Sequence, residues 1–252
     1  MRVAMPRARS TTESDWYAFM RFDPAQHRRA RGYYVPFFKG CRRVLDAACG
    51  RGEFLDVLRD ARIPGEGIDT DEGMVQAARA SGNQVELGDA FGFLEAHPAS
   101  FDGIFSAHFI EHLESESAAR LIELSANALR PGGCLVVATP NSASLPTLQH
   151  EFWWDPTHVR LYDIDLIRFW FSEAGFADIK GGENPESHPG SPVGLKELEM
   201  PPANPFARAF YRLTGISALR RQQMVLSRSL QGLIRELYRP SEIYVTGRKP
   251  LT

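Results

Sequence analysis

Cysteine is scarce in this chain: Cys41, Cys49 and Cys134 are the only three, an odd number without the spacing of zinc ligands. That pattern argues against a disulfide framework and a cysteine-held zinc site, and it leads to the expectation of a reducing, cytoplasmic setting. Long apolar runs are missing too. Nowhere do 18 apolar residues follow one another, and the arginines at positions 2, 7 and 9 are not followed by an apolar stretch, so neither a spanning helix nor a leader is expected. Net charge of one sign is also absent, with 29 Lys and Arg against 31 Asp and Glu. A dedicated nucleic-acid binder would carry a strong positive field, so nucleic acid is not an expected partner.

What is present is enough apolar residue, 43% of 252, to bury one large core. Residues 1–14 are polar, basic and aperiodic and read as a mobile tail; 15–252 read as a single domain. From Asp15 to Phe38, aromatics alternate with Arg21, Arg28, Arg29 and Arg31 in a helical lead-in, whose aromatics cover a core edge or whose arginine meets an anionic group. Short apolar runs then alternate with helical patterns. Strands are predicted over Val44–Ala47, Gly65–Asp69, Gln84–Gly88, Phe101–Ser106 and Gly133–Thr139, and helices over Gly52–Ala61, Glu72–Ala80 and Glu114–Leu129, the last closed by a Pro131-Gly132-Gly133 turn. Such alternation predicts an α/β fold, doubly wound around a mostly parallel sheet.

Past the fifth strand, Pro140–Tyr162 reads as a long loop, Asp163–Ala174 as a helix and Phe176–Lys180 as a strand. An insertion over 183–240 follows. Six prolines and four glycines between 181 and 205 make its first part irregular, and 206–238 returns to helical periodicity. That helix has leucines on spaced turns, and seven arginines against the single acid Glu236 between Arg208 and Arg239. It either covers the sheet or serves as a candidate for peripheral membrane contact or self-association. Ser241–Thr246 alternates like a closing strand.

The chemistry gathers at strand ends. Arg43-Val-Leu-Asp-Ala-Ala-Cys-Gly-Arg-Gly-Glu-Phe-Leu55 reads as strand, glycine turn and helix start, a cradle in which a ligand can lie against Gly50 and Gly52. Asp69 ends the second strand, where a carboxylate can accept from a ribose diol, and Asp89 closes the third, within reach of an adenine amine. Together they describe an adenosine pocket.

Five ordered pieces, Val44-Leu-Asp-Ala-Ala-Cys-Gly-Arg-Gly52, Gly67-Ile-Asp-Thr-Asp-Glu-Gly-Met74, Gly88-Asp-Ala90, Phe101-Asp-Gly-Ile-Phe105 with Ile110-Glu-His-Leu113, and Leu129-Arg-Pro-Gly-Gly133, make the chain resemble class I S-adenosylmethionine-dependent methyltransferases over about residues 43 to 182. The resemblance implies a Rossmann-like, seven-stranded sheet and S-adenosyl-L-methionine as cofactor. It implies Asp46, Ala48, Gly50 and Gly52 around the methionine part, with Ala48 standing where the family usually has glycine. It further implies Asp69 and Thr70 at the ribose, Met74 over the adenine, Asp89, Ala90 and Phe91 at the adenine edge, and Ser106 and His108 under the sulfonium. Trp154-Asp-Pro-Thr-His-Val-Arg-Leu-Tyr162 resembles methyltransferase domains accompanying bacterial O-antigen and other surface polysaccharide synthesis. A small-molecule or glycan acceptor is thereby implied, with O-methylation of a saccharide hydroxyl as the leading expectation.

His158 and His112 are candidate general bases, an imidazole being the side chain that exchanges protons near neutrality, or else hold the loop's shape. Arg160 and Tyr162 are candidate acceptor-orienting groups or loop anchors. No metal ligand set is assigned. A small-metabolite methyltransferase of ubiquinone or natural-product type, and a non-catalytic scaffold, are the competing expectations.

Overall fold

The computed structural model describes residues 23–187 and 217–251. The expected tail at 1–14, the aromatics Trp16 to Phe22, the insertion from 188 and the helix start at 206–216 lie outside the described residues. Seven strands, β1 (Val44–Ala47), β2 (Gly65–Asp69), β3 (Val85–Leu87), β4 (Phe101–Ala107), β5 (Leu129–Pro140), β6 (Ala177–Glu183) and β7 (Glu242–Arg248), form one sheet in the order β3-β2-β1-β4-β5-β7-β6. The first five pair in parallel. β7 runs antiparallel to both β5 and β6, so the expected mostly parallel sheet is corrected to a mixed one. Alternation in Glu242–Arg248 marks a strand but carries no direction, because the period of two is the same in both.

Helices cover both faces. On one side lie α1 (Pro24–Gly32) with the 3-10 turn Val35–Phe38, α2 (Glu53–Asp60) and α3 (Glu72–Ala80); Phe38, Phe54 and Val75 meet Val44 and Phe105 there. On the other lie α4 (Ala90–Ala96), α5 (Ser115–Ala128) and α7 (Ile164–Glu173), whose Leu94, Leu121 and Ile167 meet Leu45 and Ile104. Neighbouring strand residues thus go to opposite cores, as pleating requires. Helix starts are set locally: Asp71 accepts from Met74 N and Asp163 from Asp165 N, the caps that satisfy first-turn amides.

Two boundaries differ from expectation. α5 stops at Ala128 and the chain passes directly into β5; Pro131-Gly132-Gly133 lies within that strand, bonded to the chain after β7 through Gly132 N to Lys249 O and Lys249 N to Gly133 O. The register of β4 and β5 shifts there, where Gly132 takes φ +78°. The expected loop at 140–162 contains α6 (Leu145–Gln149) and the 3-10 turn Glu151–Trp154. In α8 (Ser217–Leu237), Val225, Leu226, Leu230 and Leu233 are exposed, so these leucines do not cover the sheet. Among the described residues no helix is long and apolar enough to cross a membrane.

β4 is seated against the lead-in through a glycine. A methyl group on Gly103 would lie 2.5 Å from Cδ1 of the fully buried Phe38 ring. Gly103→Ala is therefore expected to lower the free energy of unfolding in denaturant titration by about 1–3 kcal/mol, the usual cost of overpacking; wild-type stability would contradict this packing.

Candidate functional site

Past β1 the backbone turns left-handed three times in five residues, at Ala48 (φ +62°), Gly50 (φ +53°) and Gly52 (φ +84°). Asp69, at the end of β2, holds this turn: Oδ2 accepts from Gly50 N at 2.8 Å and Oδ1 from Asp71 N at 2.9 Å. A cavity of 240 Å³ opens over the carboxyl ends of β1, β2 and β4. Of the sequence-predicted cofactor residues, Asp46, Ala48, Gly50, Asp69, Thr70, Met74 and His108 line it. Gly52, Asp89, Ala90, Phe91 and Ser106 do not. Gly52 is the N-cap of α2, Asp89 caps α4 through Gly92 N, Ala90 is buried in the sheet core and Phe91 packs on Phe109. Ser106 has the wrong strand parity; Phe105 and Ala107, on either side of it, face the cavity.

Burial pushes the Asp46 carboxyl up to about 8, against the opposing charge of Arg31 and with the help of Glu53 and Asp69. Asp69 is raised by burial, an effect resisted by the backbone N–H groups of Asp71, Gly50 and Thr70. Burial likewise pushes the Cys49 thiol well above its usual range, so it packs as a protonated side chain.

His108, left-handed at φ +53°, stands at the far wall between two buried carboxylates. Its Nε2 is 2.6 Å from Glu242 Oε2 and its Nδ1 3.0 Å from Glu111 Oε1. Burial alone would lower its pKa, but pairing with both carboxylates holds it up at about 9, as an imidazolium. Glu242 also accepts from Arg31 Nη1 at 2.9 Å, Tyr34 Oη at 2.5 Å and Asn184 Nδ2 at 2.7 Å. Burial would raise it, and Arg31 and His108 instead hold it far below the usual carboxylate range.

Beyond His108 a second cavity of 390 Å³ opens, lined by Trp154, Asp155, His158 and Glu242 among others. His27, Arg31, His108 and His112 belong to both cavities. The predicted loop residues divide. His158 bonds Phe152 O through Nδ1 at 2.6 Å, stacks on that ring and lies 4.8 Å, ring centre to ring centre, from His112. Tyr162 is buried with its hydroxyl donating to Leu113 O at 2.8 Å, while Arg160 lies over the Tyr162 ring and donates to Ser115 Oγ; neither lines a cavity. Both side chains are thus engaged with the segment Leu113–Ser115, and Val159 N donates to Glu111 O at 2.8 Å.

Sequence reasoning passed over Glu111, Glu242 and His27. The signal for Glu242 was an acid opening an otherwise apolar strand, and for Glu111 an acid inside the quoted Ile110-Glu-His-Leu113. Arg31 was visible only as one of several arginines in the lead-in. Burial and the neighbouring Arg31 and His108 charges lower His27 to about 4, so it is neutral.

Comparison with known proteins adds a family match: the model described as a methyltransferase domain covers residues 18–180. A probable S-adenosylmethionine-dependent methyltransferase of Mycobacterium tuberculosis is 31% identical over 139 residues, 55% of this chain and 50% of the relative. A ubiquinone biosynthesis O-methyltransferase of Xylella fastidiosa is 32% identical over 105 residues, 39% of this chain and 42% of the relative. The chain thus spans about half the length, or less, of these curated relatives. A solved S-adenosylmethionine-dependent methyltransferase from Archaeoglobus fulgidus superposes with a TM-score of 0.75 at 27% identity, covering 93% of this chain and 98% of that one.

Two predictions follow from the turn. Left-handed backbone costs a non-glycine residue about 1–2 kcal/mol, more than glycine loses in chain entropy, so Ala48→Gly should raise the unfolding free energy by about 0.5–1 kcal/mol in denaturant titration; a loss would show that the Ala48 methyl packs favourably. Asp46 ionises at 3.8 in its ordinary state and at about 8 when buried here. Below the first value it costs nothing, the penalty grows as pH rises between the two, and above the second it is constant. Melting curves of ligand-free Asp46→Asn should therefore gain on the parent from pH 5 to 8 and gain no more above that; a difference independent of pH would contradict the burial of a protonated carboxyl.

Proposed function

The chain belongs to the methyltransferase-domain family, and from that premise we propose that it transfers a methyl group from S-adenosylmethionine to a hydroxyl of a saccharide or glycan precursor. The observation that carries this reading is the shared wall: the cavity at the glycine turn and the larger cavity beyond it meet at His27, Arg31, His108 and His112. The first suits the cofactor, since the left-handed turn gives close backbone approach, Asp69 can accept from a diol, and Asp46 presents a carboxyl that a cationic amine bound beside it would ionise. Bound there, S-adenosylmethionine supplies a methyl group made transferable by its positive sulfur. Met74 and Thr70 flank the adenosine end.

The second cavity receives the acceptor. Gln26, Asp155, Ser187 and Ser241 offer hydrogen bonds and Trp154 an apolar face, the mixture that sugar hydroxyls and sugar ring faces use. His112 at the shared wall and His158 beside it are the groups that assist loss of the acceptor's proton. Arg160 and Tyr162 contribute by fixing the loop that carries His158. The exposed leucines of α8 suit peripheral contact with a membrane bearing a lipid-linked glycan. A phenolic small metabolite is the second reading, favoured by Phe152 and Trp154 in the same cavity and by the name of the Xylella fastidiosa relative.

Calorimetry with S-adenosylmethionine and with its demethylated product tests the cofactor assignment. Asp69→Ala should weaken both by about 1.5–3 kcal/mol, the scale of hydrogen bonds to a charged group; no binding by the parent protein, or parental affinity in the variant, would refute it. Acceptor profiling with sugar nucleotides against phenols separates the two readings.

A further inference from the structure

His112 and His158 line the acceptor cavity and the fully buried Glu111 lies behind them, with one ligating atom of each within 4.8 Å of the others. We propose that this triad holds one divalent first-row transition ion whose open positions take oxygens of the acceptor; the acceptor part of this assignment rests on the methyltransferase reading above.

Each ligand is already set up from behind. Thr157 Oγ1 is 2.5 Å from Asp155 Oδ1, which as a carboxylate can only accept, and Thr157 Oγ1 in turn lies 2.8 Å from His112 Nδ1. The His112 proton is therefore on Nδ1 and the Nε2 lone pair is left for an ion. His158 donates from Nδ1 to Phe152 O, leaving its Nε2 in the same state. Such backing of ligand imidazoles by carbonyls and carboxylates is the usual outer shell of metal sites. Glu111 is fully buried, and while Oε2 accepts from Thr139 Oγ1 at 3.0 Å, Oε1 has no hydrogen bond; it is 3.0 Å from His108 Nδ1 without the alignment of one. That oxygen is paired with the His108 imidazolium and keeps a lone pair to offer an ion.

The charge around the triad permits one. Of the nearby cations, Arg31 is held by Glu242 and His108 is shared between Glu242 and Glu111, while Asp155 and Glu151 add negative charge along the same cavity. Two imidazoles and one carboxylate favour manganese, iron, cobalt or zinc over magnesium or calcium, which prefer all-oxygen shells. Ligands at about 2.1 Å around such an ion stand about 3.4 Å apart in tetrahedral geometry, so binding draws the three inward by side-chain rotation. An ion here would make a coordinated acceptor hydroxyl more acidic, so His112 and His158 would assist its deprotonation as ligands of the ion and not by taking the proton themselves, which passes to water. The Asp155-Pro156-Thr157-His158 stretch then has one purpose: His158 is a ligand, and Asp155 and Thr157 fix another.

The test is a titration of the full, chelator-stripped chain with cobalt(II) alone, read by calorimetry and by visible ligand-field absorption. One ion per chain is expected, with affinity lowered at least about tenfold in Glu111→Gln and His112→Gln and about tenfold in Thr157→Val, which touches no ligand atom. Circular dichroism identifies any variant that fails to fold, and Thr157→Val, which keeps the side-chain volume, remains decisive if Glu111→Gln does fail. Absence of stoichiometric binding by the parent, or equal binding by the folded variants, overturns the proposal. Cofactor calorimetry on the same stripped protein reads the methyltransferase assignment separately, so loss of either result leaves the other standing.

Discussion

The most demanding constraint in this molecule is the burial of Glu242. A carboxylate taken out of water is costly unless opposite charge and hydrogen bonds replace the solvent, and breaking one side of such an arrangement typically costs about 3–5 kcal/mol. Four groups from different parts of the chain converge on it: Arg31 from α1, Tyr34 from the lead-in, His108 from the end of β4 and Asn184 after β6. Each meets Glu242 only if its own element is in register. The antiparallel entry of β7 brings Glu242 to Pro140 at the end of β5, and so to the edge of the sheet where both cavities open. Folding and site assembly are linked by this one side chain.

From Glu242 the network passes through His108 to Glu111, and from Glu111 to the loop that carries His158. Its imidazolium separates two carboxylates that would otherwise repel. The Glu111 backbone carbonyl holds the loop through Val159 N and Arg160 N. The junction of the two cavities is thus tied to this network through Arg31 and His108, both of which line each cavity.

Much of the frame is legible in the sequence because it is periodic or locally capped. β2 and α3 run over the expected residues, Gly65–Asp69 and Glu72–Ala80, since apolar spacing and the Asp71 cap specify them without help from distant residues. Strand direction is a different matter: the alternation of Glu242–Arg248 is the same in either sense, and only its pairing with β5 and β6 sets it. In the site, Asp46, Asp69 and Met74 line the first cavity, as their nearness to a glycine turn in the sequence suggests. Ser106 lies off the cavity because its parity on β4 is opposite to that of Phe105 and Ala107, and a tyrosine in a loop shows in the sequence nothing of the Leu113 carbonyl that Tyr162 bonds. Glu242 was hidden most completely, its partners being far away in sequence and the need for it arising only on burial.

A crystal structure of the complex with S-adenosylhomocysteine tests the central claim most directly. The account places the nucleoside against Asp69 and Met74 and the sulfur toward His108, at the wall shared with the second cavity, with Glu242 still bonded to Arg31 and His108. A product bound in the second cavity, or one whose sulfur points away from the shared wall, would contradict it.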